Sequence, residues 1–292
     1  MNITYKTQKN IILVAFLILP LTILLSFSYY PAIDLFYMSM TSWDGLSATK
    51  AWIGFDNYRE LFSDPRLIGV FKHNFAYLIA GVVQNIAALY FAVLLSSRMK
   101  GRNLFKVIIF LPFIMNGVAV SYMFGYLYDS QSGGLNMLFD FIGLGHSVNW
   151  LGDRSIVNYS LAFINIWKYT GFSMVIYLGS LQAIPVGLYE AAKIDGATRL
   201  QAFRYITLPS IRSIIEVSMF LTVTGSMEVF ELPFILTKGG PIGSSETFVT
   251  KTVDVAFTYS NFGLASAMAV VLLLLIGTIL IVQRKLIMWG EK

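Results

Sequence analysis

Long hydrophobic runs broken by short polar stretches dominate this chain. Six of them, at about residues 11–30, 71–95, 104–128, 156–181, 214–236 and 264–282, are long enough to cross the hydrocarbon core of a bilayer, about 30 Å or roughly 20 helical residues. Barrel strands would be about ten residues long with alternating polarity, and these runs are neither. The pattern predicts an all-α membrane protein with six transmembrane helices. Three connecting loops, 31–70, 129–155 and 237–263, are longer than a helical bundle needs. Another polar interruption runs from about 182 to 212. There is no disordered linker and no internal repeat, so residues 1–292 read as a single transmembrane domain.

Composition agrees. Of 292 residues, 56% are hydrophobic and only 13% charged, where a soluble domain carries about 25% charged residues. Lys6 and Lys9 ahead of the first apolar run could open a signal peptide. The length of that run, and the lack of a small-x-small cleavage site before Tyr29-Tyr30-Pro31, favour an uncleaved first span.

Charge then sets the orientation. The tail before residue 11, the loop 96–106, the loop 182–212 and the tail from Arg284 together hold thirteen Lys and Arg against three acids, while the opposite sides, with Lys72 at the edge of the second span included, hold seven against ten. Arg98, Lys100, Arg102 and Lys106 form the clearest basic loop. The excess of Lys and Arg marks the cytoplasmic face, so both termini and the 182–212 loop are expected there. The net charge of +5 is spread over short loops and gives no nucleic-acid patch.

Little in the chain suggests chemistry. There are no cysteines and only two histidines, His73 and His146, far apart in sequence. No H-E-x-x-H zinc motif and no G-x-x-x-x-G-K-[ST] phosphate loop occurs. An intramembrane enzyme is therefore disfavoured, and no cofactor is expected in this chain.

The most specific stretch is Glu190-Ala191-Ala192-Lys193-Ile194-Asp195-Gly196, followed by Ile206-Thr207-Leu208-Pro209. Pro185 suits a helix start. Leu188, Ala191, Ala192 and Asp195 at i, i+3, i+4 and i+7 share one helical face, whose alanines permit close approach of another surface. Gly196 can end the helix in a turn. A second short helix is expected from Leu200 to Ile206, with Leu200, Phe203 and Ile206 turned inward, and Pro209 is expected to mark the bend into the fifth span. One alternative is an amphipathic helix lying on the membrane surface. Glu190 and Asp195 would be repelled by anionic lipid and suit a protein groove with a basic edge better.

With these residues the chain resembles the binding-protein-dependent carbohydrate permeases of the ABC importers, on the side of the larger maltose-type subunit. The likeness extends to Leu111-Pro112 before Asn116-Gly117, to Gly134 and Asn136, and to Trp150-Leu151. It continues through Trp167-Lys168 before Gly171-Phe172, the stretch from Leu178 to Pro209, and Leu236-Thr237-Lys238-Gly239-Gly240-Pro241. Six spans without a large external insertion are similar to the compact form found in oligosaccharide and glycerol-phosphate importers.

The resemblance implies a type I importer permease in a bacterial or archaeal cell membrane, paired with a second homologous permease subunit. Two ATPase subunits would bind ATP and magnesium, and an external sugar-binding protein would deliver the cargo. Glu190, Ala191, Ala192, Asp195 and Gly196 would couple to the ATPase. The cargo would be a di- or oligosaccharide, with a glycerol phosphate as the alternative. The external loops, with Trp43, Asp44, Trp52, Asp56, Tyr58, Asp64, Trp150 and Asp153, would either dock the binding protein or cap helices and place aromatics at the interface.

Charge within a span is costly, about 2.5–3.5 kcal/mol at the bilayer centre on the most lenient scale. Lys168 in the fourth span, and Glu228 and Glu231 one helical turn apart in the fifth, should therefore face the protein interior. They either pair structurally or line a sugar path, with Phe230, Asn116, Tyr122 and Tyr126 as companions and Gly225 and Pro233 as flanking interruptions. Glu216 is expected to pair with Arg212 at i, i+4. The same scattered charge would also fit an ion-gradient-driven transporter, but that reading leaves the Glu190 loop without a purpose.

Overall fold

The computed structural model describes residues 4–97, 99–144 and 147–288. Arg98, His146 and the residues after 288, all counted above, lie outside the described residues. Apart from one antiparallel bridge between Thr41 and Trp52, the regular structure among the described residues is helical. Four helices are long and apolar enough to cross a membrane, and two sharply bent helix pairs bring the number to six when each pair counts as one span. The chain divides into two compact units, Met1–Pro65 with Thr252–Val271, and Arg66–Lys251 with Leu272–Lys292.

In the first unit, α1 (Tyr5–Leu24) passes through a wide π turn at Leu25–Tyr29 into α2 (Tyr30–Met38), so the first span extends well beyond residue 30. Proline explains the turn. Pro31 has no amide to offer the carbonyl four residues back, and its ring crowds that carbonyl. The Tyr30 amide reaches back to the Leu25 carbonyl instead, which widens the helix without breaking it. From Ile11 onward α1 is almost wholly apolar, and its described side chains are exposed, as suits a helix facing lipid tails.

Beyond α2, Asn57 at the start of α3 (Asp56–Ser63) donates to the Ser39 and Thr41 carbonyls at 2.8 and 2.9 Å. A Cβ on Gly263 would collide with the Thr41 carbonyl. Trp43 lies against Phe262, with Lys50 4.4 Å above its ring. The Ser47 hydroxyl, helped by the Ser47 and Leu46 amides, holds the Asp44 carboxyl down at about 2. Trp43 and Asp44 thus serve the loop's own turn, while Trp52 stays exposed.

The second unit starts with the short α4 (Pro65–Ile68) and contains the long α5 (Phe71–Ser96), followed by α6 (Arg102–Ile114), α7 (Gly117–Leu127) and α8 (Gly134–Phe141). After α9 (Val157–Gln182) come α10 (Val186–Ile194), α11 (Arg199–Ala202), a π turn at Phe203–Thr207, α12 (Leu208–Ser210) and α13 (Arg212–Met227). A further π turn, Pro233–Thr237, precedes α14 (Phe248–Phe257), whose residues from Thr252 onward belong to the first unit, and the tail of α15 (Phe262–Met288) returns to the second. The middle π turn repeats the logic of the first, since it ends just ahead of Pro209.

α5 and α9 form the spine. Small residues on α5, Ala80, Ala88 and Ala92, are buried against α9 side chains including Ile164, Met174 and Tyr177, the close approach that membrane helices use when no hydrophobic drive separates them from lipid. Gly171 lets α9 approach α6 so closely that a Cβ there would strike the Ile109 carbonyl. At the far end of the spine, Asn136 donates to the Val148 carbonyl and accepts from the Trp150 indole at 2.9 Å, so Trp150 braces its loop from within.

Asn85 knots the middle of the bundle together. Its amide nitrogen donates to Thr222 Oγ1 at 2.6 Å, and its oxygen accepts from Tyr177 at 2.8 Å and Ser218 at 2.6 Å, joining α5, α9 and α13. Glu216 pairs with Arg284 at 3.8 Å rather than with Arg212. The packing of α15 against α13 brings that cation within reach and also sends Gln283 to the Glu216 carbonyl.

Two expected straight spans are broken. The third bends by 99° between α6 and α7. Met115 and Asn116 are extended there, and the Asn116 side chain caps α7 through the Val118 and Ala119 amides. The fifth is entered through a 69° bend between α12 and α13, where Pro209 predicts one, and its break comes later, where α13 stops at Met227. Glu228 and Glu231 are consequently on opposite sides of a break and not on one helical face. The cause is again a missing donor, because Pro233 cannot serve the Val229 carbonyl. Thr247 Oγ1 donates to it at 2.6 Å, while Asn74 Nδ2 covers the Ser226 and Met227 carbonyls at 3.2 and 3.1 Å. Broken backbone at membrane depth is tolerated where protein groups satisfy it in this way.

Candidate functional site

The two breaks and the middle of α9 enclose a cavity of about 410 Å³. Among the sequence candidates, Lys168, Glu228, Phe230 and Glu231 line it. Lys168, only 6% exposed, reaches the Glu231 carboxylate at 3.5 Å. That carboxylate lies against Gly117, where an added Cβ would fall on its oxygens. Gly117 opens α7, and the start of a helix favours an anion. Glu231 is therefore held between an ammonium group and a helix terminus. Glu228, the residue just after α13, is exposed and makes no ion pair among the described residues.

Aromatic rings form the apolar wall. Phe113 stacks on Phe172 at 4.6 Å and meets Tyr169 edge-on at 6.0 Å, and Phe230 stacks on Phe234 at 4.8 Å. Gln84, Asn165 and Thr222 add polar groups. The Asn165 amide nitrogen and the Tyr77 hydroxyl, on residues of the cavity wall, are buried without a hydrogen-bond partner among the described residues.

Asn116, Tyr122 and Tyr126 are not brought into the cavity. Asn116 is committed to capping α7, and the two tyrosines project from that helix, exposed. Sequence reasoning passed over Gln84, Asn165 and Tyr169. The available signal was a polar residue at mid-span, since Asn165, Lys168 and Tyr169 stand at i, i+3 and i+4 on α9 and share one face.

Gly117→Ala is expected to push the Glu231 carboxylate away from Lys168 and to lower stability by about 1–3 kcal/mol, the usual cost of overpacking. Gly277→Ala, which meets open space on α15, is expected to be neutral or slightly stabilising. Thermal unfolding of the two purified variants compares them directly.

A second surface feature lies at the end where α9 stops and α13 starts. α10 has no buried residue. It ends in a Schellman motif, with the Gly196 amide on the Lys193 carbonyl, the Ala197 amide on the Ala192 carbonyl, and Gly196 at φ +80°. Thr198 and Gln201 then form a reciprocal capping box that starts α11. The hairpin's backbone is satisfied locally, yet Ile194 (86%) and Leu200 (75%) are bare. Leu200 therefore turns outward, contrary to the expected inward face. Glu190, Ala191, Asp195 and Gly196 are exposed and Ala192 is half-buried.

Broken membrane helices around a polar-and-aromatic cavity, with a rigid polar hairpin at one end, define a solute permease. The chain belongs to the family of binding-protein-dependent transport system inner membrane components, whose profile matches residues 84–287. It is 35% identical to the "Probable ABC transporter permease protein YurN" of Bacillus subtilis over 98% of this chain and 99% of that protein. It is 30% identical to the trehalose/maltose transport system permease protein MalF of Thermococcus litoralis, covering 97% of each. Its fold matches a permease chain in the crystal structure of a bacterial ABC transporter involved in import of the acidic polysaccharide alginate, with a TM-score of 0.85 and 25% identity over 98% of both chains. The chain is thus an integral membrane permease component with the type I importer fold, not a catalytic subunit.

Proposed function

We propose that this chain forms half of the translocation pathway of an ATP-driven importer for a di- or oligosaccharide. A second homologous permease subunit would supply the other half, two ATPase subunits would bind ATP and magnesium, and an external binding protein would deliver the sugar. The observation that carries this reading is the α10 hairpin. Its apolar residues Ile194 and Leu200 are exposed although its turn is closed by a Schellman motif and a capping box, and an exposed apolar ridge of this kind marks an interface. Glu190 to Gly196 form a coupling element that seats in an ATPase groove on the cytoplasmic side. The cavity supports a sugar as cargo, since carboxylates and amides bind hydroxyl groups and rings cover the apolar faces of a pyranose. The trehalose/maltose relative fits the same cargo class.

The test is uptake into proteoliposomes that hold the complete importer. Uptake of labelled di- and oligosaccharides is expected to require internal ATP and external binding protein and to be indifferent to a protonophore. Uptake driven by an ion gradient without ATP would overturn the proposal.

A further inference from the structure

We infer that the saccharide taken by the cavity at the two helix breaks carries no carboxylate, phosphate or sulfate group. The inference rests on reading that cavity as the sugar site. The charged side chains lining it are Lys168, Glu228 and Glu231, two carboxylates against one ammonium, which leaves a formal excess of one negative charge.

The distribution matters more than the sum. Lys168 is the only cation among the lining residues, and it is already committed. Its ammonium is paired with Glu231 at 3.5 Å and lies 5.6 Å from the Tyr169 ring, on a side chain that is almost fully buried. An anionic guest could recruit it only by drawing it off Glu231, whose half-exposed carboxylate would then face the guest's own negative charge without a cation between them. Glu228 has no such partner among the described residues and presents its carboxylate openly. Hydroxyl groups, or an amine, can donate to it, whereas an acidic group meets like charge. The similar solved importer moves an acidic polysaccharide, so the shared fold does not decide this point. The same charge arrangement disfavours a glycerol phosphate as cargo.

The experiment measures equilibrium binding of radiolabelled trisaccharides to the full permease–ATPase complex in lipid nanodiscs, with the binding protein omitted. The probes are matched pairs that differ only at C6, hexose against the corresponding uronic acid, in the gluco, galacto and manno series. In whichever series binds, the hexose member is expected to bind at least about tenfold more tightly, because like-charge juxtaposition is strongly unfavourable. Glu228→Lys is expected to narrow that ratio by weakening the hexose member and strengthening the uronate. A merely structural role for Glu228 would weaken both members equally and leave the ratio unchanged. Equal or tighter binding of a uronate by the unmodified complex, or a ratio that Glu228→Lys does not move, overturns the inference while the cavity stands as the sugar site. Binding of no member overturns that underlying reading as well.

Discussion

Glu190→Lys and Gly196→Val are each expected to cut sugar uptake by about thirty-fold or more while the protein still inserts and pairs with its permease partner. The two act through different physics. Glu190 is exposed and has no ion pair among the described residues, so reversing its charge leaves the fold intact and turns an attraction to a basic groove into repulsion. Loss of one partner from a buried interfacial charge pair costs about 2–5 kcal/mol, and each 1.36 kcal/mol is tenfold. Gly196 is surrounded by open space, so valine meets no steric obstacle. The penalty lies in the backbone, because φ is +80° and the left-handed region costs an L-residue roughly 1–2 kcal/mol, more when β-branched. Valine would undo the Schellman turn and swing α10 away from its groove. Gly196→Asn, which tolerates that conformation, is expected to retain most uptake. The measurement pairs uptake with ATPase activity stimulated by the binding protein. Normal uptake in Glu190→Lys would remove α10 as the coupling element.

Asn85→Leu is expected to be the most destabilising single change within the bundle. Leucine fits the volume but forfeits the bonds to Thr222, Tyr177 and Ser218 that tie α5 to α13 and α9. Hydrogen bonds between membrane helices average about 0.6 kcal/mol each, which gives a floor of about 2 kcal/mol. Buried groups left unsatisfied raise that by about 1–3 kcal/mol apiece. The midpoint of thermal unfolding in detergent is expected to fall accordingly. Asn85→Leu made in a Tyr177→Phe background is expected to cost less than in the parent, because the two residues share one bond. Strict additivity of the two changes would show that the hub is not a cooperative unit.

What could be read from the sequence follows from how locally each feature is determined. The α10 hairpin was readable because Gly196, Thr198 and Gln201 fold it by neighbour contacts within a few residues. The six spans were readable from length and hydropathy. The breaks were only partly visible. Asn116-Gly117 and Pro233 hinted at them, but the groups that satisfy the freed carbonyls at the end of α13, Asn74 and Thr247, are far away in sequence. Glu216 shows the same limit, because its i−4 arginine was the nearest candidate in sequence while the cation it meets comes from α15. Leu200 failed for another reason. An apolar residue on a short helix was assumed to turn inward, whereas Leu200 is exposed, as the proposed docking surface would require. Lys168 and Glu231 were recognised singly from the cost of charge in a membrane, but their pairing required the three-dimensional structure.

Asn74 and Asn85 stand on the same helix, eleven residues apart, about 16 Å at 1.5 Å per residue. One fixes the end of α13 at Ser226 and Met227, and the other holds its middle at Ser218 and Thr222. A rod pinned at two points cannot slide or roll against its support without shearing both pins. It can bend only beyond them, at Ile211 on one side and at Glu228 on the other. Under the proposed coupling, a push at the α10 hairpin would either be taken up at Ile211 or move the α5–α13 pair as one body toward the carboxylates of the cavity.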